Sequence, residues 1–262
     1  MKVLSWNVQR AKANDEVWDI LKTLDPDICF LQEVSSVPEQ ILEKYDWVEK
    51  TPITKVLKPQ KFKCVTLVKG KILQEVSFRF SNDCIKGIHT HFQNNIFCLT
   101  CEIQDELIHL YNVYSPAWAV PESLFEWNEV AHIKLNNNDE LWVTELVYDS
   151  IRNTFTDKDN ILMGGDFNQS ITFDLGTDGD RGNREVQSRF NALGLHDTLS
   201  TCNGGLVPTF KNSKGGKVIH QLDYLYASKK LSKKLLSSSV LSDMKIFENS
   251  LSDHLPIVSV FS

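Results

Sequence analysis

The 262-residue chain contains no long uncharged apolar run, which excludes a membrane-spanning helix. It also lacks a basic excess: Lys and Arg total 28 against 34 Asp and Glu, a net charge of −6. No global positive field therefore draws in polyanions, and a nucleic-acid substrate requires a local basic patch or bound cations. The first residues, MKVLSW, enter an apolar strand directly, without the basic, apolar and small-residue segments of a secretory leader, so a cytoplasmic location is expected. Internal repeats and low-complexity linkers are absent as well. With 42% hydrophobic and 24% charged residues the chain reads as a soluble globular protein, one domain over residues 1–262. Its six cysteines (Cys29, Cys64, Cys84, Cys98, Cys101 and Cys202) are scattered and expected to be reduced and buried. Cys98 and Cys101 form a CxxC, but no second pair follows at zinc-ribbon spacing. Asn168-Gln169-Ser170 is a glycosylation sequon, yet it falls among candidate site residues, where a glycan would block chemistry.

Short β-rich runs alternate with helical stretches. KVLSW, the amphipathic NDEVWDILKTL and DICFLQ read as a β-α-β unit with a parallel strand pair. From about Lys63 to Asn112, the runs CVTLVKG, ILQEVSFRF, IKGIHTHF, NIFCLTCEIQ and ELIHLYNV predict an antiparallel meander, so the sheets should be mixed. A helical region is expected over Ser123 to Phe155, interrupted at Asn136 to Asp139, with Leu141, Leu146 and Tyr148 on one face. NILMGGDFN follows as a buried strand, Asp174 to Arg184 as a loop and Glu185 to Leu193 as a helix. VIHQLDYLYAS, VLSDMKIF and LPIVSVFS read as the last strands. Lys229, Lys230, Lys233 and Lys234 between them suit a solvated helix face, with a phosphate-attracting patch as the lesser reading.

Several apolar runs end in a polar residue. Asn7 follows KVLSW, Glu33 follows ICFLQ, Tyr114 closes LIHLYNV, and Asp166 and Asn168 follow ILMGG. Asp223 lies inside HQLDYLY, and Asp253-His254 precedes LPIVSV. Taken singly, each has an ordinary explanation as a turn, cap or core-edge residue. As a set on one rim of strand ends they would repel or remain unpaired unless they partner one another or a cation. Oxygen ligands without clustered His or Cys favour Mg²⁺ or Mn²⁺.

In order, S-W-N (5 to 7), L-Q-E-V (31 to 34), N-V-Y-S-P (112 to 116), G-D-F-N (165 to 168), L-D-Y (222 to 224) and S-D-H-L-P-I (252 to 257) resemble the motifs of the endonuclease/exonuclease/phosphatase superfamily, the DNase I-like and exonuclease III-like group. That resemblance implies a four-layered α/β sandwich, two mixed β-sheets packed face to face with helices outside, and Mg²⁺-dependent phosphoester hydrolysis. It further implies Glu33 as principal metal ligand, with Asn7 beside it and Asp253 completing the site. Asp166 would orient or deprotonate the attacking water, and Asn168 and His254 would bond the phosphoryl oxygens. Asp223 would hold His254, and Tyr114 would offer its hydroxyl to a phosphate oxygen. Departures fall where abasic-site nucleases of the group carry an acid, a Lys and a Trp-Arg pair: this chain has Gln9, Val34-Ser35 and His220-Gln221. Trp118, Trp127 and Phe210 could stack on a base or sugar, although core packing is the commoner role of such residues. The expected activity is a phosphodiesterase on nucleic acid or a nucleotide-containing substrate. The alternatives are a phosphatase or phosphodiesterase on a small or lipid-derived phosphoester, and an inactive binding module, which would predict eroded motifs.

Overall fold

In the computed structural model, which describes residues 1–176, 179–212, 216–241 and 245–262, the apolar runs pair into two sheets of six strands each. In chain order the strands are β1 (Lys2–Ala11), β2 (Ile28–Val34), β3 (Asp46–Lys50), β4 (Lys63–Val68), β5 (Lys71–Glu75), β6 (Ile96–Ile103) and β7 (Glu106–Tyr114). They continue with β8 (Ile161–Asp166), β9 (Leu195–Asp197), β10 (Phe210–Lys211), β11 (Val218–His220), β12 (Asp223–Ser228), β13 (Leu235–Val240) and β14 (Ile257–Phe261). The first sheet runs β13-β14-β1-β2-β4-β3 and the second β5-β6-β7-β8-β12-β9, while β10 and β11 form a separate pair. Both sheets are mixed. β1 and β2 are parallel, as are β7 and β8, and the remaining neighbours are antiparallel.

Side-chain alternation builds the layers. Val3, Phe30 and Val68 of the first sheet meet Leu99, Leu110, Leu162 and Leu225 of the second in a core between the sheets. The helices are α1 (Val17–Leu24), α2 (Glu39–Leu42), α3 (Asp83–Phe92), α4 (Trp127–Val130), α5 (Val143–Thr154), α6 (Asn183–Ala192), α7 (Thr198–Asn203) and α8 (Lys229–Ser232). Leu4, Trp6 and Leu31 point to the opposite face of the first sheet, where α1 buries Val17, Trp18 and Leu21. Fully burying an apolar side chain of this size contributes roughly 1.5 to 3 kcal/mol. Residues of α3, α5 and α6 cover the outer face of the second sheet. Cys98 and Cys101, three places apart on β6, face opposite cores and cannot act as a joint ligand pair. All six cysteines are free, but Cys202 is exposed and Cys84 only half-buried, contrary to the expectation that all are buried.

Four other expectations are corrected. IKGIHTHF is α3 rather than a strand: the Asn82 side chain caps it by accepting from Ile85 N, and Ile85, Ile88, His89 and Phe92 turn inward at helical spacing. The meander is divided, because β4 joins the first sheet and β5, β6 and β7 the second. Between Ser123 and Phe155 a sustained helix begins only at Val143; Leu141 is buried ahead of it, and Ile133 and Leu135 are buried in the irregular stretch before that. VIHQLDYLYAS is two strands in different sheets, β11 and β12, parted by Gln221 and Leu222. Residues 242–244 of the expected VLSDMKIF strand lie outside the described residues, and β13 ends at Val240. Lys229, Lys230 and Lys233 are exposed, whereas Lys234 pairs with Glu106.

Candidate active site

The glycines of the GGD run allow close contacts that a side chain would block. A Cβ on Gly164 would lie 2.4 Å from the Phe30 ring across the sheet interface. Gly165 has a φ of +152°, and its Cβ would fall 1.8 Å from the Val113 carbonyl oxygen. Asp166 follows, in register with Tyr114 on one side and Asp223 on the other, so three adjacent strands of the second sheet place polar side chains on one rim.

From the first sheet come Asn7 and Glu33. β1 and β2 are in register at Asn7 and Gln32, then slip before Ala11 meets Val34, and β2 also slips against β4 between Leu31 and Val34. Glu33 therefore sits at an irregularity in both ladders, with a φ of +55° that turns its side chain out of the strand alternation. Gln9, Arg10 and Asn168 are left-handed too, at +46°, +64° and +49°. Non-glycine residues held this way cost about 1 to 3 kcal/mol each, and such strain gathers at functional sites.

All eight residues singled out from the sequence reach this rim. Asn7 Nδ2 donates to Asp166 Oδ2 at 3.0 Å and approaches Glu33 Oε1 at 3.5 Å. The Tyr114 hydroxyl donates to Glu33 Oε1 at 3.1 Å. Asn168 donates from its backbone N to Asp166 Oδ1 at 2.9 Å and from Nδ2 to Asp166 Oδ2 at 3.2 Å. His254 Nδ1 donates to Asp223 Oδ2 at 2.8 Å, while Nε2 faces Asp166 Oδ2 and Asp253 Oδ1, each at 3.9 Å. Arg10 approaches the outer oxygen of Glu33 at 3.8 Å.

Burial governs the proton affinities. It raises the Asp166 carboxyl to about 7, with the nearby Asp223 charge adding to the rise and His254 opposing it. For His254 burial works against the charged form, but Asp223 and Asp166 outweigh it and hold the imidazolium up to about 10. Burial, followed by the charge of Glu33, lifts the Tyr114 phenol above its ordinary range, so it remains a hydroxyl donor.

Four supports were not evident from the sequence. Buried Thr209 donates to Asp223 Oδ2 at 2.7 Å while accepting from Leu222 N and Asp223 N. Ser252 donates to the Asn7 carbonyl at 2.7 Å and accepts from His254 N at 3.0 Å, tying β1 to the segment before β14. The Trp6 indole donates to the His254 carbonyl at 2.9 Å. Between the sheets, Gln32 Nε2 donates to Asn112 Oδ1 at 2.9 Å, which pins the strands just before Glu33 and Tyr114. The one available signal was a fully polar residue inside each of two apolar strands. Phe210 packs on His254 with ring centroids 4.9 Å apart, whereas Trp118 and Trp127 pack against the outer core of the second sheet. Gln221 turns inward to Val207 N and Asp197, and Ser35 donates to the Arg10 carbonyl.

Glu33, Asp166, Asp223 and Asp253 gather here with His254 and the exposed Arg10 as nearby cations. A divalent ion fits that donor set, which is rich in carboxylate oxygen. Asp166, Asp223 and His254 alone also bring ligand atoms within 4.8 Å of one another. Within that trio, however, His254 is held as a proton donor to Asp223, and a charged imidazole has no lone pair for a metal; the buried Asp223 Oδ1 is left without a hydrogen-bond partner. Glu33 and Asp253, whose side chains are 18% and 39% exposed, are the carboxylates of the group that solvent reaches.

The sequence model described as "Endonuclease/Exonuclease/phosphatase family" matches residues 4–254. None of the curated proteins matches the chain. Among solved structures, an AP endonuclease from Archaeoglobus fulgidus is similar with a TM-score of 0.71 at 16% identity, covering 100% of this chain and 99% of that one. A 3′-5′ exonuclease from Neisseria meningitidis is similar with a TM-score of 0.67 at 19% identity, covering 100% of both chains. A 3′ phosphatase from Neisseria bound to a product DNA hairpin is similar with a TM-score of 0.66 at 18% identity, covering 100% of this chain and 99% of that one. At such identities the likeness is one of fold.

Proposed function

Because the chain belongs to the endonuclease/exonuclease/phosphatase family, we propose that it hydrolyses a phosphodiester bond in nucleic acid or a nucleotide-containing substrate, with Mg²⁺ or Mn²⁺ as its metal. The observation that carries this reading is the meeting of two opposite chemistries in one cleft. The buried Asp166 carboxylate, held by Asn7 and Asn168, lies 3.9 Å from the Nε2 of His254, whose Nδ1 is bound to Asp223. Glu33, Asn7 and Asp253 would hold the ion, which when bound would neutralise charge on the phosphoryl group. Asp166 accepts the proton of the attacking water, a task suited to a base poised near neutral pH. The unpaired Nε2–H of His254 donates to a phosphoryl oxygen as charge builds there, and Asp223 keeps that ring charged and oriented. Asn168 holds the Asp166 carboxylate by two bonds, and because its Nδ2 also donates to the Ser115 carbonyl at 2.8 Å it reaches a phosphoryl oxygen only by exchanging one of its Nδ2 bonds. Tyr114 orients Glu33 and can extend its hydroxyl to a phosphate oxygen.

Nucleic acid is favoured because the similar solved proteins include an AP endonuclease, a 3′-5′ exonuclease and a 3′ phosphatase bound to DNA. A small or lipid-derived phosphoester is the second reading, favoured by the net charge of −6. Inward-turned Gln221 and backbone-bound Ser35 supply no Trp-Arg or Lys to a DNA duplex, so these positions do not favour repair of abasic sites. Mg²⁺-dependent turnover across single-stranded DNA, abasic duplex, RNA, 5′-tyrosyl DNA, inositol phosphates and sphingomyelin separates the two readings. Turnover of nucleic acid is expected; turnover confined to inositol phosphates or sphingomyelin would overturn it.

A further inference from the structure

Gln9 and Arg10 are consecutive residues in the left-handed region, at φ +46° and +64°. Glycine takes up that backbone without strain, so an arginine held there points to a use for its side chain. Groups of the cleft hold the turn. Gln9 N donates to Asn7 Oδ1 at 3.0 Å, Ser35 Oγ donates to the Arg10 carbonyl at 2.8 Å, and Ser35 N donates to the Ala11 carbonyl at 2.8 Å. The Arg10 backbone is thus fixed between Asn7 and the residue that follows β2. Its side chain is 70% exposed, yet the guanidinium lies 5.7 Å from the centre of the Phe62 ring, which meets Tyr114 edge-on at 5.4 Å. Glu33 divides its two oxygens. Oε1 accepts from Tyr114 and is approached by Asn7, while Oε2 faces Arg10 Nε at 3.8 Å. Among the described residues Arg10 is the only cation paired with Glu33, and its guanidinium makes no hydrogen bond. At that distance and exposure the pair is a charge contact that another cation can replace.

We propose that Arg10 is an exchangeable counter-ion of Glu33: it balances that carboxylate while the cleft is empty, and turns to the ligand's phosphate when a divalent ion takes Glu33. The inference rests on the metal and phosphoester reading of the cleft. Ion and guanidinium compete for one carboxylate, so Arg10 weakens ion binding in the absence of an anion. A phosphate reverses the sign, because the freed guanidinium can bond two phosphoryl oxygens at once. Ion and phosphate therefore strengthen each other's binding through this residue, and by linkage they do so equally in both directions. Direct contact between ion and phosphate couples them as well, so the share that disappears with Arg10 is the quantity to measure.

The test is calorimetric titration with Mg²⁺ and with inorganic phosphate, which requires no turnover, on wild type, Arg10→Ala and Arg10→Gly. Glycine fits the left-handed backbone and so separates the side chain from the strain, and thermal melting reports whether each variant is folded. Without phosphate, both variants should bind Mg²⁺ about two- to fivefold more tightly than wild type, the size of an exposed charge pair. With Mg²⁺ saturating, both should bind phosphate roughly five- to tenfold more weakly. Arg10→Lys, which keeps the charge without the planar fork, should retain the wild-type Mg²⁺ affinity and lose part of the phosphate binding. The opposite signs are the signature. A purely structural arginine would weaken both ligands when removed and a merely solvated one would move neither, and either result would overturn the inference. Wild type that binds both ligands with the same affinities as Arg10→Gly would sink this inference alone. Mg²⁺ binding that is missing in the wild type, or unchanged in Glu33→Ala, would sink the metal reading and this inference with it.

Discussion

His254 is buried at 5% exposure, where an imidazole ordinarily loses its proton. Two buried carboxylates reverse that preference, and Asp223 is the nearer, at 2.8 Å. Because the folded value is raised above the ordinary 6.5 to about 10, the stabilisation from this pair is complete below pH 6.5 and is lost as pH rises through about 10. In the metal-free protein, the ¹H–¹⁵N signals of His254 should titrate far above 6.5. In Asp223→Asn the midpoint should fall toward or below 6.5, since burial is then less opposed; an unchanged midpoint would contradict the pairing. The eight rim residues were legible because each interrupts or closes an apolar run with a group too polar to bury alone. Thr209 and Ser252 were not, because short hydroxyl residues in loops look alike whether they touch solvent or a buried carboxylate.

At the scale of elements, one device acts at the rim and another at the start of α5. Gly165 lets β7 and β8 close so that Tyr114 and Asp166 come into register. Gly165→Ala combines backbone strain with a clash against the Val113 carbonyl, and should destabilise by at least about 3 kcal/mol by denaturant unfolding. The second device is Glu145 at the start of α5, whose carboxylate accepts from Trp142 N at 2.9 Å and Leu135 N at 3.4 Å. Burial raises this carboxyl to about 8. Its contribution is therefore full below pH 4.5 and declines as pH rises through about 8, because the charged form is the one burial disfavours. Glu145→Gln should flatten that decline in melting temperature, and Glu145→Ala should cost about 1 to 3 kcal/mol at any pH by leaving two N–H groups unpaired. The β-α-β opening was readable from period and turn chemistry. α3 was not, because the Ile, Thr and His of IKGIHTHF are common in strands and the decisive cap, Asn82, lies one residue before its helix.

For the whole molecule, the sequence shows many strands but not their division into sheets. β4 and β5 are separated by only Lys69 and Gly70 yet belong to opposite sheets, a choice made by pairings distant in the chain. The cleft exists only when both sheets are assembled, since Asn7 and Glu33 come from one and Tyr114, Asp166 and Asp223 from the other. An ion bound across it should stabilise the fold as a ligand does, by about 2.7 kcal/mol at one hundred times its dissociation constant. Mg²⁺ should accordingly raise the melting temperature of the wild type and leave Glu33→Ala unmoved. The most direct test of the central claim is the initial rate of Mg²⁺-dependent hydrolysis of a generic phosphodiester by wild type and Glu33→Ala, with unfolding followed on the same samples. A rate that falls to background while the metal-free melting temperature stays nearly constant is the predicted result. Retained Mg²⁺-dependent hydrolysis in the variant would contradict a metal site built on Glu33.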